Sequence, residues 1–244
     1  MHAIWRSHMK LSAPVFRLKR EARTLARSKT IPLNRALDEI AVREGFRSWS
    51  HLASVARDQG PSIRLLSALE PGDMVILGAR PGQGKTVLGL ELLAEAAKSG
   101  RSSIFFSSEC SYSDVRSKLS GSGYPGLEKS EKFQIVLSDS VCAGKVQETL
   151  AGPAPGTIAV IDYLQVMDQH RSQPPLGDQI EVLRRFAKTR RTTLVFLSQV
   201  HRNFDPKIRT LPGFDDIRTT NPVDLSHFDK GCFLHDGEMI LRPH

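Results

Sequence analysis

The stretch Gly78-Ala79-Arg80-Pro81-Gly82-Gln83-Gly84-Lys85-Thr86 joins an apolar run beginning at Met74 to a helical pattern containing Leu88, Leu90, Leu92 and Leu93. Residue types in this order bind phosphate. Glycines let a strand-to-helix turn present successive backbone N–H groups, and the helix N-terminus adds orphan donors and a dipole that favours anions. Lys85 would meet the terminal phosphates as a point charge, and Thr86 would place its hydroxyl on Mg2+. ATP with Mg2+ is the expected ligand, cradled by the run from Gly78 through Val87 in the first helical turn. Ala79 stands where this spacing usually has its first glycine, and a methyl is tolerated there if the residue needs no positive φ.

Three other residues could complete the chemistry. Asp162 ends the apolar run Thr157-Ile158-Ala159-Val160-Ile161, and an acid at the carboxyl end of a parallel strand can hold hydrated Mg2+. Taken alone, such an Asp also suits a helix cap or a turn. Glu109 closes the run from Ile104 to Ser108 and is the candidate general base that deprotonates water; a solvent-facing carboxylate opening the next helix is the alternative. Gln199 closes the run from Thr193 to Ser198. Its amide could sense the terminal phosphate, or position water, and report to the following loop.

The elements that must position these residues follow from periodicity. Strands are expected at Met74 to Gly78, Ser103 to Ser107, Gln134 to Leu137, Thr157 to Tyr163, Thr193 to Val200 and Gly231 to His235. Helices are expected at Thr86 to Lys98, Ser113 to Leu119, Lys145 to Leu150 and Asp178 to Arg190. This alternation predicts an α/β fold, a mostly parallel sheet with helices on both faces. Two loops would share the phosphate edge. Gln169 to Gly177 carries His170 and Arg171, while His201 to Thr220 carries Arg202, Lys207, Arg209 and Arg218 interleaved with Phe204 and Phe214. Basic residues track the phosphates of a single strand, and an aromatic stacks on bases or, the favoured reading here, pins the loop to the core.

Residues 10–60 read differently. Val15, Leu18, Ala22, Leu25 and Ala26 form one helical stripe, Leu33, Ala36, Leu37, Ile40 and Ala41 a second that stops at Gly45, and Trp49, Leu52, Ala53 and Ala56 a third that ends at Gly60-Pro61. The net charge of +8 is concentrated here, with 12 Lys or Arg against 5 Asp or Glu in residues 1–60, leaving 22 against 21 for the remainder. Such asymmetry fits contact with a polyanion or a protein partner, or an ordinary solvated helix surface. Residues 1–9 read as an extension or tag, 10–60 as a basic three-helix segment and 62–244 as the nucleotide domain.

A chain of 244 residues with 40% hydrophobic and 25% charged residues has room for one large α/β domain with a short accessory segment. No apolar run approaches the roughly 18–20 residues of a membrane-spanning helix, and the first ten residues lack a signal-peptide core. Cys110, Cys142 and Cys232 are odd in number and far apart, which opposes a disulfide framework and suits a reducing cytoplasm. Cys232 and His235 lack the second pair that a zinc site needs.

Five stretches together resemble the ATPase domain of the bacterial replicative DNA helicase family, the hexameric DnaB type with a RecA-like fold, over about residues 62–240. They are GARPGQGKT at Gly78 to Thr86, FSSE at Phe106 to Glu109, IDYLQVM at Ile161 to Met167, SQVHR at Ser198 to Arg202 and, more faintly, Asp216-Ile217-Arg218 before Cys232 to Leu234. The resemblance implies that Lys85 and Thr86 bind nucleotide and Mg2+, Glu109 is the catalytic base, Asp162 the metal-holding acid, and Gln199 the link to DNA-binding loops. It implies DNA, chiefly single-stranded, as partner and a homo-oligomer sharing nucleotide at its interfaces. The alternative is an ATP-gated regulatory switch without helicase activity. The sequence also departs from the family. The collar domain does not fit into residues 1–60, the segment from Glu109 to Asp162 is short, and the chain stops at Pro243 and His244, about where the family continues into a strand and an arginine-finger hairpin.

Overall fold

The computed structural model describes residues 11–13, 15–58, 60–168, 173–219, 221 and 223–244. The chain divides into two compact units at Gly60 and Pro61. In the first, the three apolar stripes become α1 (Val15–Lys29), α2 (Leu33–Arg43) and α3 (Trp49–Asp58). Leu18, Ala22, Ala36, Ile40, Ala41, Phe46 and Leu52 form its core. Polar contacts fix how the helices meet. The Asp38 carboxylate accepts the Trp49 N–H at 2.8 Å, where α3 begins, and Arg43 grips Glu21 with two hydrogen bonds of 2.5 and 2.8 Å.

The second unit opens with α4 (Pro61–Ser67). By composition Gly60-Pro61 marks only a break. Pro61 instead occupies the first helical position, where its missing N–H has no intrahelical partner to lose. Burial along β1 (Met74–Ala79) then sets the architecture, because Val75, Leu77 and Ala79 enter one core while Met74 and Ile76 enter another. Strands covered on both faces read as near-continuous apolar runs, and β2 (Ser103–Ser107), β4 (Ile158–Asp162) and β5 (Thr193–Gln199) share that character. With β3 (Phe133–Leu137), β6 (Lys230–His235) and β7 (Glu238–Pro243) they form a seven-stranded sheet in the order β3-β2-β4-β5-β1-β6-β7. All pairings are parallel except β6 with β7. The sequence reading had no strand at Glu238–Pro243, whose half-exposed side chains gave only a weak apolar signal.

Helices α5 (Lys85–Lys98) and α6 (Tyr112–Gly121) cover one face with α4, and α7 (Ala143–Leu150) and α8 (Leu176–Arg190) cover the other. The mostly parallel α/β sheet with helices on both faces is therefore present. At the amino-terminal edge of the strands the Asp229 carboxylate accepts the Met74 N–H at 2.8 Å and pairs with Arg184 and Lys188; burial raises its pKa, but Arg184, the Met74 N–H and Lys188 together hold it down to about 2. The opposite edge carries the candidate site. No described helix is long and apolar enough to cross a membrane.

Close packing beneath that edge depends on absent side chains. A Cβ at Gly231 would lie 2.5 Å from Phe233 and 2.7 Å from Phe214. At Gly152 it would meet nothing within 4 Å. Gly231→Ala should cost about 1–3 kcal/mol of stability through overpacking against two rings, while Gly152→Ala stays within about 0.5 kcal/mol of the parent. Urea unfolding compares the two, and equal midpoints would contradict the packing described.

Candidate nucleotide-binding site

Parallel strands deliver their carboxyl ends to one edge. Register places Asp162 beside Ser107 of β2 and Leu197 of β5, and Gln199 beside Ala79 of β1. Glu109 follows β2 by two residues, its N–H on the Ser107 hydroxyl at 3.2 Å. The sheet thus brings the phosphate-loop strand, the candidate acid, the candidate base and the candidate sensor amide to adjacent positions along one edge.

The loop itself has the expected form. Ala79 is the last residue of β1, buried and extended, so this departure from the glycine pattern introduces no strain. Gly82 and Gly84 adopt φ of 77° and 86°, and an added Cβ at either would meet nothing within 4 Å. Their requirement is conformational, since L side chains rarely take positive φ. Gly84 caps α5, its carbonyl accepting the Leu88 N–H at 2.9 Å, so Lys85, Thr86 and Val87 form the first turn. Gly78 is required for space, because a Cβ there would lie 2.8 Å from Ile217 and 2.9 Å from Phe233.

At the centre the Thr86 hydroxyl donates to Asp162 Oδ2 at 3.0 Å. Asp162 is only 3% exposed. Burial pushes its carboxyl above the ordinary range, the Lys85 ammonium and the Thr86 hydroxyl oppose that shift, and the charge of Glu109 adds to it. Lys85, Thr86, Asp162 and Glu109 therefore act on one another across the edge, although they come from three different segments. A buried carboxylate that, among the described residues, is bonded to a hydroxyl and has ammonium groups nearby fits a site for a hard cation. Thr86 and Asp162 supply the oxygens that would hold Mg2+, and Glu109 is exposed beside them.

The outer residues are placed less uniformly. Arg202, Lys207 and Arg218 are exposed, with no ion pair among the described residues, whereas Arg209 pairs with Asp216 at 2.7 Å and is committed within its own loop. Arg171 and His170 lie outside the described residues. Phe204 is buried and sets its ring edge-on to His235, and the half-buried Phe214 does so to Phe233 and His244, contacts that pin the loop inward. Gln199 is half-buried, and its carbonyl accepts the Arg218 N–H at 2.8 Å. Sequence reasoning missed Gln165, whose amide donates to Ser198 Oγ at 2.9 Å and to the Arg218 carbonyl, tying the end of β4 to β5 and the long loop. The Asp-Tyr-Leu-Gln run was its only signal.

The DnaB-like helicase C terminal domain family matches residues 64–123, from α4 through the phosphate loop and Glu109 past α6. A replicative DNA helicase DnaB of Leifsonia xyli subsp. xyli is 25% identical over 191 residues, 66% of this chain and 42% of that protein. DNA repair protein RadA of Haemophilus influenzae is 26% identical over 212 residues, 84% of this chain and 40% of that protein. The chain spans less than half the length of these curated relatives. Among solved structures, a DnaB-like replicative helicase matches with a TM-score of 0.56 at 16% identity, covering 89% of this chain and 64% of that one. A KaiC-like protein of Pyrococcus horikoshii matches with a TM-score of 0.51 at 14% identity, covering 66% and 70%. The fold is that of RecA-like P-loop ATPases, and the resemblance to the replicative helicase ATPase domain stands.

Burial of Asp162 gives a signed expectation. Its folded-state pKa lies above the unfolded value, so its contribution to stability is full below the unfolded pKa and is lost as pH rises through the folded one. Asp162→Asn retains an acceptor for Thr86 without the charge. It should raise the melting temperature at about pH 7, the gain fading below the ordinary Asp pKa of about 3.9. Thermal unfolding across pH measures this, and a destabilised Asn variant at neutral pH would contradict it.

Proposed function

We propose that this chain binds ATP with Mg2+, hydrolyses it, and couples that cycle to DNA as a helicase-type ATPase. The observation that carries the reading is the convergence of Lys85, Thr86 and Glu109 on the buried Asp162 carboxylate at the mouth of a glycine loop. The cation supplies charge stabilisation to the transferring phosphoryl group when bound. The chain's own groups do the remainder. N–H groups of the Gly82 to Thr86 turn orient the phosphates, and Lys85 neutralises the charge that grows on the oxygens as the terminal P–O bond breaks. Glu109 takes the proton of the attacking water, and its exposure leaves it within reach of that water. Gln199 faces the terminal phosphate and transmits its presence to the loop bearing Arg202, Lys207 and Arg218.

DNA as partner is supported by those three exposed cations and by the first unit. Lys19, Arg20, Arg23 and Arg27 are exposed on α1 with no ion pair among the described residues. The spacing 19, 23, 27 sets three of them on one helix face. Contact with single-stranded DNA through phosphates suits both surfaces. Engagement of a protein partner by the N-terminal helices belongs to the alternative, regulatory-switch reading. A homo-oligomer in which a neighbour supplies an arginine, and a cytoplasmic location, complete the reading. Strand displacement separates a motor from an ATP-gated switch that changes affinity without unwinding.

Lys85→Ala should abolish nucleotide binding, whereas Glu109→Gln should keep it and lower ATP turnover by roughly 10²–10⁴, the usual worth of a general base. Equilibrium nucleotide binding read beside steady-state turnover checks both. A Glu109→Gln protein that hydrolyses as fast as the parent would reduce Glu109 to a structural carboxylate.

A further inference from the structure

Two side chains of the phosphate loop are tethered to other elements rather than left free. Arg80 Nη2 donates to the Arg202 carbonyl at 2.5 Å, and its guanidinium lies 5.9 Å from the centre of the Phe204 ring. Gln83 Oε1 accepts the Asp236 N–H at 2.7 Å, at the turn between β6 and β7. Both tethers lead to the same ring. His235, the residue before Asp236, meets Phe204 edge-on at 5.4 Å, and Arg209 approaches it at 6.0 Å while paired with Asp216. Phe204 is 3% exposed, so these contacts enclose its ring.

Inside the loop, the Gln83 N–H donates to the Arg80 carbonyl at 3.3 Å. That is a long bond to a neutral acceptor. A phosphate oxygen is charged and competes for the same N–H on better terms. Phosphate entry would therefore compete with the Arg80 to Gln83 turn at the point where both tethers begin. A guanidinium suits the outer end of the tether, since one planar group can present its face to a ring and its edge to a carbonyl, which an ammonium does less well.

We infer that Arg80 is a positioning residue that couples occupancy of the phosphate loop to the conformation of the His201–Arg209 segment, with Phe204 as the receiving ring. The inference rests on the nucleotide reading above and adds to it a route separate from Gln199. That route leaves the loop itself, not the sensor strand, and reaches the segment carrying Arg202 and Lys207. By linkage, whatever binds that segment alters nucleotide affinity by the same factor.

Amide hydrogen exchange on the whole chain tests this, with and without ADP and Mg2+ at concentrations that saturate each variant as determined by titration calorimetry. In the parent, nucleotide should change exchange within residues 203–209 several-fold. Arg80→Ala should abolish that difference between states, and Arg80→Lys, which preserves charge and one donor, should restore part of it. If Arg80 only braces the loop, Arg80→Ala will raise exchange equally in both states and leave the difference intact, which overturns the inference. A parent that binds ADP without any change at 203–209 overturns it as well. A parent that shows no binding in the titration overturns the nucleotide reading itself, and the coupling falls with it. The Lys variant also reads the same quantity if the Ala variant proves unstable.

Discussion

A hydrogen bond from the Thr86 hydroxyl to the Asp162 carboxylate joins the first turn of α5 to the end of β4. Strand β5 lies between β4 and β1 in the sheet, so this bond spans the gap that the strand order opens. The carboxylate it reaches is buried, and its desolvation outweighs the hydroxyl and ammonium groups that favour its charge, which destabilises the chain alone. That imbalance is useful where a divalent cation is to be captured, because the cation relieves it. The parallel sheet makes the arrangement possible by delivering β1, β2, β4 and β5 to one edge, and two layers of helices keep their inner residues dry.

From that edge the hydrogen bonds run outward in one direction. Val200 N–H donates to the Ala79 carbonyl, Arg218 N–H to the Gln199 carbonyl, and Gln165 joins Ser198 to Arg218. The residues that would sense phosphate and the long loop that would meet DNA are thus bonded to the same strand ends. Phe204 and Phe214 close the far side of that loop against β6. A loop anchored in this way can hold a small set of positions rather than a continuum, which is what a two-state coupling needs.

Much of this was legible in the residues, and the failures have physical reasons. Strands buried on both faces announce themselves as apolar runs, so β1, β2, β4 and β5, and with them Asp162, Glu109 and Gln199, could be located within a residue or two. The glycine loop was legible because backbone geometry dictates its composition. Helix α4 was not, since proline marks both a break and a first helical turn, and only the packing of Leu65 against the core decides between them. Strand β7 was missed because a half-exposed strand at the sheet edge lacks the continuous apolar run. The charge of Arg209 is visible in sequence, whereas its ion pair with Asp216, seven residues later, is not. Gln165 and Arg80 stand in recognisable local runs, but their partners are distant in sequence and no local pattern reveals those contacts.

The central claim is that Asp162 and Thr86 form the cation half of a nucleotide site. Titration calorimetry of ADP into the intact chain, with Mg2+ and with a chelator, tests it most directly when Asp162→Ala is run in parallel. The account predicts that Mg2+ tightens ADP binding by about tenfold or more in the parent, a difference of about 1.4 kcal/mol, and has little effect in the variant. Equal Mg2+ dependence in the two proteins, or none in the parent, would contradict it.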